Sequence, residues 1–242
     1  MKVRQHTFII GIDEVGRGAL AGPVTVAVVC LPKNLIIKNS KLGVLKDSKK
    51  LSPVQRQKWN DYFFRHPNIG YNVARVYPRG IERLNISKAA NRAASRAFVK
   101  LIESCGLKAG NCKIFLDGGL FLENRINPST SSGRMIVRTI IRGDEKITAV
   151  KIASVIAKVN RDRYMERLSK KYPKYGFEIH KGYGTRFHIR AIRKYGLSKA
   201  HRLTFVVKSS RVIQKSNIKM SRPCRGSSMV KPSGQNDNVK CK

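Results

Sequence analysis

Apolar residues along the chain fall into short β-branched runs separated by stretches of helical period. Phe8-Ile9-Ile10-Gly11-Ile12 and Thr25-Val26-Ala27-Val28-Val29 are rich in Ile and Val without alternation, the pattern of strands covered on both faces. A glycine-rich stretch, Gly16 to Pro23, joins them. Residues 68–77 predict a third strand, residues 113–116 a fourth ending at Asp117-Gly118-Gly119, and residues 135–141 one more. Ala, Leu and Val recur at helical spacing over residues 87–104, and further helices are predicted over 148–171 and 185–195. Strands alternating with helices predict an α/β layered domain with a helical C-terminal section.

Composition then separates the chain into two parts. At 41% hydrophobic residues, 242 residues can bury a sizeable core. Residues 209–242, however, hold eight Lys and Arg, one acid (Asp237) and no aromatic residue, too little apolar surface to offset the entropy of ordering. The expected organisation is a folded domain of residues 1–208 and a disordered basic tail of residues 209–242. The tail either adds nonspecific attraction to phosphates or is inert.

Charge narrows the partner. Fifty Lys and Arg against 14 Asp and Glu give a formal charge of +36. Such a field repels itself unless an anion screens it, and nucleic acid fits that role. A membrane surface is the competing reading, but no apolar run approaches the ~20 residues of a span. Acidic residues and an early glycine also interrupt any signal peptide. The five cysteines (Cys30, Cys105, Cys112, Cys224, Cys241) are odd in number and never spaced C-x-x-C. Neither a disulfide framework nor a zinc site is indicated, and a cytoplasmic, reducing setting is expected.

In so basic a chain the placement of acids is informative. Asp13 and Glu14 end one apolar strand, Asp117 ends another, and Asp162 falls on the long helix. Strand ends are where open α/β sheets present groups to ligands. Neighbouring strand residues point to opposite faces, so Asp13 and Glu14 share a site only at the sheet edge. Carboxylates forced together repel, and a hard divalent cation such as Mg²⁺ or Mn²⁺ removes that penalty. Two such ions, ~3.5–4 Å apart, activate water and stabilise a leaving phosphate oxygen. An isolated Asp at a strand end is more often a turn or cap residue, so spacing alone does not decide for chemistry.

The wider sequence does. Gly11-Ile12-Asp13-Glu14-Val15-Gly16-Arg17-Gly18-Ala19-Leu20-Ala21-Gly22-Pro23-Val24 resembles the opening signature of the bacterial ribonuclease HII family. Leu45-Lys46-Asp47-Ser48-Lys49-Lys50-Leu51-Ser52, Leu116-Asp117-Gly118 and the helix Ala153 to Arg163 are similar to its next motifs, in order. His180-Lys181-Gly182-Tyr183-Gly184-Thr185, His188 and Ser198 to Phe205 are similar to its closing ones. The resemblance implies an RNase H-like mixed sheet flanked by helices, with four metal-binding catalytic carboxylates at Asp13, Glu14, Asp117 and Asp162. It implies that Gly16, Arg17 and Gly18 contact the ribonucleotide beside the scissile phosphate, and that Tyr183 stacks on the deoxyribose after an RNA-to-DNA junction. Lys46, Ser48 and Lys49 become candidate phosphate contacts, although Lys-rich loops are usually only solvated. The implied activity is hydrolysis of the RNA strand of RNA–DNA hybrids and incision 5′ to ribonucleotides embedded in duplex DNA. The cut leaves 3′-OH and 5′-phosphate ends, and the enzyme is expected to be a monomer. Val15 stands where the family usually has Ala, and Asn160 occupies a variable position; neither removes a ligand.

Other candidates are weaker. Asp144 is a substitute or supporting acid, but a Gly-Asp turn accounts for it without chemistry. His188 and His201 are expected to serve structure, with His201-Arg202 fastening the C-terminal part. Gly16-x-Gly18-x-x-x-Gly22 is not a dinucleotide fingerprint, and no P-loop occurs. A non-catalytic basic RNA-binding protein explains the charge but not the acids at strand ends. Another metal-dependent nuclease of the same fold is the remaining rival.

Overall fold

The structure, a computed structural model, describes residues 8–107, 111–123 and 136–208; the basic tail and the predicted strand's first residue, Met135, lie outside the described residues. The described elements are β1 (Phe8–Val15), β2 (Val24–Pro32), α1 (Pro53–Arg65), β3 (Gly70–Val76), α2 (Pro78–Leu84), α3 (Ile86–Cys105), β4 (Cys112–Asp117) and β5 (Ile136–Ile140). There follow α4 (Gly143–Lys146), α5 (Thr148–Lys171), α6 (Phe177–His180), α7 (Arg186–Tyr195) and α8 (Leu203–Lys208).

The strands form one mixed sheet in the order β3-β2-β1-β4-β5. β2 pairs antiparallel with both β1 and β3, whereas β4 runs parallel to β1 and β5 parallel to β4. Both faces are covered, which explains the unbroken apolar runs. Ile10, Ile12, Val24, Val26 and Val28 face α3, whose Ala89, Ala90, Ala93, Ala94 and Ala97 permit close approach, with Phe98 and Leu101 filling the gap. Ala27, Val29 and Leu31 face α5 together with Trp59 and Phe63 of α1. A smaller core of Ala21, Met165, Tyr175 and Phe177 fastens the C-terminal helices.

The predicted strands and helices appear close to their expected bounds, and α5 spans the predicted residues 148–171. The apolar pattern does not predict α1 or α2. α1 begins nonetheless with a capping box, Ser52 accepting from the Gln55 N–H and the Gln55 side chain accepting from the Ser52 N–H, with Pro53 in the first turn.

Gly11 decides how near α5 can come. A Cβ there would collide with the backbone of Ala149 and Val150, so the helix lies directly on the strand. Gly11→Ala is expected to destabilise the domain by about 1–3 kcal/mol through overpacking. Denaturant titration checks this; an unchanged midpoint would show that α5 does not bear on β1 there.

Candidate active site

β1, β4 and β5 run in the same direction, so their C-terminal ends meet at one edge of the sheet. Asp13 and Glu14 lie at the end of β1, Asp117 ends β4, and Asp144 follows β5 in the first turn of α4. All four line one pocket, together with Gly16, Arg17, Gly18, Lys49, Ser154, Lys158 and Tyr183.

Asp13 shares the face of β1 with Gly11 and points toward α5, where it is 5% exposed. Burial pushes its carboxyl up to about 8, a hydrogen bond from Ser154 opposes the rise, and Glu14 and Asp117 add to it. Ser154 Oγ is 2.8 Å from Ser48 Oγ, which accepts from Lys158 Nζ at 3.0 Å. Lys158, Ser48 and Ser154 thus form a hydrogen-bonded chain that leads to Asp13. Glu14 is also raised by burial, opposed by Arg17, whose Nη1 donates to Oε1 at 2.9 Å. Its second oxygen, Oε2, is buried without a hydrogen-bond partner. Asp117 is raised by burial and held by the Gly143 N–H, which donates to Oδ1 at 2.6 Å. Asp144 is buried, and its Oδ2 accepts from Lys49 Nζ at 3.1 Å.

Asp162, the expected fourth ligand, is not in this pocket. It lines a neighbouring groove with Pro53, Gln57 and Glu166, and its Oδ2 is 3.9 Å from Arg56 Nη2. The physical reason is helix geometry: Ser154 touches Asp13, and eight residues further along α5 the chain has advanced ~12 Å. The structure brings Asp144 to the place the sequence reading assigns to Asp162. Nothing local to Arg142-Gly143-Asp144 distinguishes that role from a turn; the signal is the Gly143 N–H on Asp117, a contact made only after β4 and β5 pair. Among the other expected substrate contacts, Lys49 lines the pocket, Lys46 is exposed outside it, and Ser48 is buried beneath it. Ser154 and Lys158 are pocket residues the sequence reading does not single out.

The loop between β1 and β2 forms the pocket's other wall. Gly16 has φ +85°, and a Cβ there would strike the Arg161 side chain; Gly18 is open to solvent. Two fully buried guanidiniums fasten the loop from below. Arg161 donates to the carbonyls of Pro23 (3.0 Å) and Ala21 (3.2 Å), and Arg202 to those of Gly22 (2.9 Å) and Arg17 (3.0 Å). Tyr183 stands opposite, 40% exposed, with the Arg161 guanidinium 5.2 Å from its ring centre.

No three Asp, Glu, His or Cys side chains among the described residues converge closely enough to form a ready-made metal cage. The ion pairs with Arg17 and Lys49 hold the carboxylates along the pocket wall. The donor set nonetheless suits a hard cation: clustered oxygens raised by burial and mutual repulsion, and one buried oxygen left unpaired.

The family profile of ribonuclease HII matches residues 10–210. A ribonuclease HII of Caldicellulosiruptor bescii is 39% identical over 201 residues, covering 83% of this chain and 87% of the relative. One from Bacillus mycoides is 42% identical over 199 residues, covering 82% and 69%. The crystal structure of ribonuclease H2 from Pyrococcus horikoshii OT3 superposes with a TM-score of 0.63 at 27% identity, covering 86% of this chain and 99% of that one. Profile, relatives and fold agree with an acidic pocket in a basic protein: the chain belongs to the ribonuclease HII family, endonucleases that hydrolyse the RNA strand of RNA–DNA hybrids.

Proposed function

We propose that Asp13, Glu14, Asp117 and Asp144 hold divalent cations, Mg²⁺ or Mn²⁺, and that the enzyme incises 5′ to a ribonucleotide embedded in duplex DNA. The observation that carries this reading is the buried, unpartnered Oε2 of Glu14, which lines one pocket with Asp13, Asp117 and Asp144. When bound, the cations supply activation of the attacking water and neutralisation of charge on the scissile phosphate. The protein's own part is placement. Ser154 and the Gly143 N–H hold Asp13 and Asp117, so the acids keep fixed positions as substrate arrives. Arg17, Lys49 and Lys158 lie on the same pocket and attract the nucleic-acid backbone. Gly18 leaves room for a ribose at the loop, where the 2′-OH distinguishes RNA from DNA. Tyr183 offers a ring face for the adjoining deoxyribose, and product ends are 3′-OH and 5′-phosphate.

The direct test is incubation of the full chain with Mg²⁺ or Mn²⁺ and a duplex carrying one ribonucleotide. Incision on the 5′ side is expected; no cleavage of that duplex under varied metal and salt overturns the proposal. Asp144→Asn is expected to lower kcat at least ~100-fold, since even partners of metal ligands are worth 10–100-fold, whereas Asp162→Asn stays within about threefold of the parent. The opposite ranking returns the fourth ligand to Asp162. Stability supplies an independent readout. A carboxyl raised from 3.8 to about 8 binds its proton more tightly in the folded chain, so stability falls as pH rises between those values. In chelator, Asp13→Asn is therefore expected to melt above the parent, by a margin that widens up to pH about 8 and is constant beyond. A margin independent of pH counts against a protonated, buried Asp13.

A further inference from the structure

Three histidines lie buried where the C-terminal helices meet the β1–β2 loop: His180, His188 and His201. The rings of His180 and His188 stack at 4.2 Å, and those of His188 and His201 are 5.2 Å apart. Their ring nitrogens engage backbone groups, one another and the Ser198 hydroxyl, with no carboxylate partner among the described residues.

Those partners determine where the protons are. His188 Nδ1 is 2.9 Å from the Tyr183 carbonyl, which only accepts, so Nδ1 carries a proton. Burial and the neighbouring imidazoles keep His188 neutral, so its Nε2 is an acceptor. His201 Nε2, 3.1 Å away, must then donate. Its Nδ1 accepts in turn from the Ser198 N–H at 3.0 Å, beside the Ser198 hydroxyl at 2.9 Å. His180 follows the same logic, accepting at Nδ1 from the Gly182 N–H (3.1 Å) and donating from Nε2 to the Tyr175 carbonyl (2.7 Å). One arrangement of protons satisfies every ring nitrogen.

Two hydrogen-bonded chains result, one from the Gly182 N–H through His180 to the Tyr175 carbonyl and one from Ser198 through His201 and His188 to the Tyr183 carbonyl. Each has one end on the Tyr183 segment. The same segment is tied to the β1–β2 loop, because the Gly182 carbonyl accepts from the N–H groups of Leu20 (2.9 Å) and Ala21 (3.2 Å). Ala21 also bridges to His201 through the backbone. Tyr183 itself sits between Gly182, at φ +82°, and Gly184, so adjacent side chains do little to restrain its backbone.

We infer that His188 and His201 are positioning residues for junction recognition: the relay from Ser198 through His201 and His188 to the Tyr183 carbonyl sets the Tyr183 ring relative to the Gly16–Gly18 loop. This rests on the reading of loop and tyrosine as the junction-sensing pair. The relay makes the two a single rigid gauge, so ribose and following deoxyribose are read in one register. A core that merely needed filling would affect all substrates alike.

The test compares the full-length parent with His188→Phe, His188→Asn and Tyr183→Ala on a single-ribonucleotide duplex and on a uniform RNA–DNA hybrid. His188→Phe keeps the ring volume but no donor, and is expected to reduce kcat/KM on the junction duplex relative to the hybrid about fivefold, the worth of one hydrogen bond. His188→Asn, whose amide can still reach the Tyr183 carbonyl, is expected to restore most of that preference. Placed on top of Tyr183→Ala, His188→Phe should change the preference no further. Equal losses on both substrates, or an unaltered preference, overturn the inference while leaving the role of Tyr183 standing. If Tyr183→Ala alone leaves the preference unchanged, the junction reading falls and takes the inference with it. A readout on the parent needs no variant to fold: ¹⁵N-correlated NMR at neutral pH should show His188 protonated on Nδ1 and His180 and His201 on Nε2. His188 protonated on Nε2, or His201 on Nδ1, overturns the relay.

Discussion

Like charges gathered in a buried pocket oppose one another, and the design of this protein follows from holding them there. Three parallel strands ending at one edge bring Asp13, Glu14, Asp117 and Asp144 together, and burial raises the first three above the ordinary carboxylate range. Arg17 and Lys49 each neutralise one acid, Ser154 and the Gly143 N–H each steady another, and one oxygen of Glu14 is left unsatisfied. Such an arrangement is unfavourable for stability and is the ordinary signature of a site selected for function. The large cores on both faces of the sheet offset it.

Helix α5 links that core to the chemistry. From Ile152 to Ala157 every residue is buried, which is why this stretch shows no polar face, and Gly11 lets the helix lie directly on β1. Ser154, Lys158 and Arg161 follow at helical spacing on the side facing the pocket and loop. Asp162 continues the stripe of Ser154 and Lys158 one turn further along the helix, beyond the pocket, and lies against Arg56 of α1 instead. One helix therefore holds the acids, supplies cations and fastens the β1–β2 loop, while an acid adjacent in sequence serves a different surface.

The loop and the C-terminal section are held by unusual means. Arg161 and Arg202 are fully buried, bond to backbone carbonyls rather than carboxylates, and each retains one unsatisfied nitrogen. Partnering carbonyls instead of acids leaves the positive charge beneath the loop without a carboxylate to cancel it. The neutral histidines add hydrogen bonds without adding charge, so the loop and the Tyr183 segment become one body.

Much of this was readable in the residues. Unbroken β-branched runs marked strands covered on both faces, and α3 followed from its helical period, because burial imposes those patterns locally. The loop, Tyr183, Asp13, Glu14 and Asp117 could be named from motifs that are each contiguous in the chain. α1 had a local signal, the Ser52–Gln55 capping box, but too few apolar positions in register to announce a helix. The choice between Asp144 and Asp162 had no local signal at all. Only the parallel pairing of β5 with β4 carries Asp144 to Asp117, and only the rise of α5 carries Asp162 away. Sequence alone determined the strands, helices α3, α5 and α7, and the family, since periodicity and contiguous motifs are properties of neighbours; the membership of the pocket was decided by tertiary structure, because it depends on where separate strands end relative to one another.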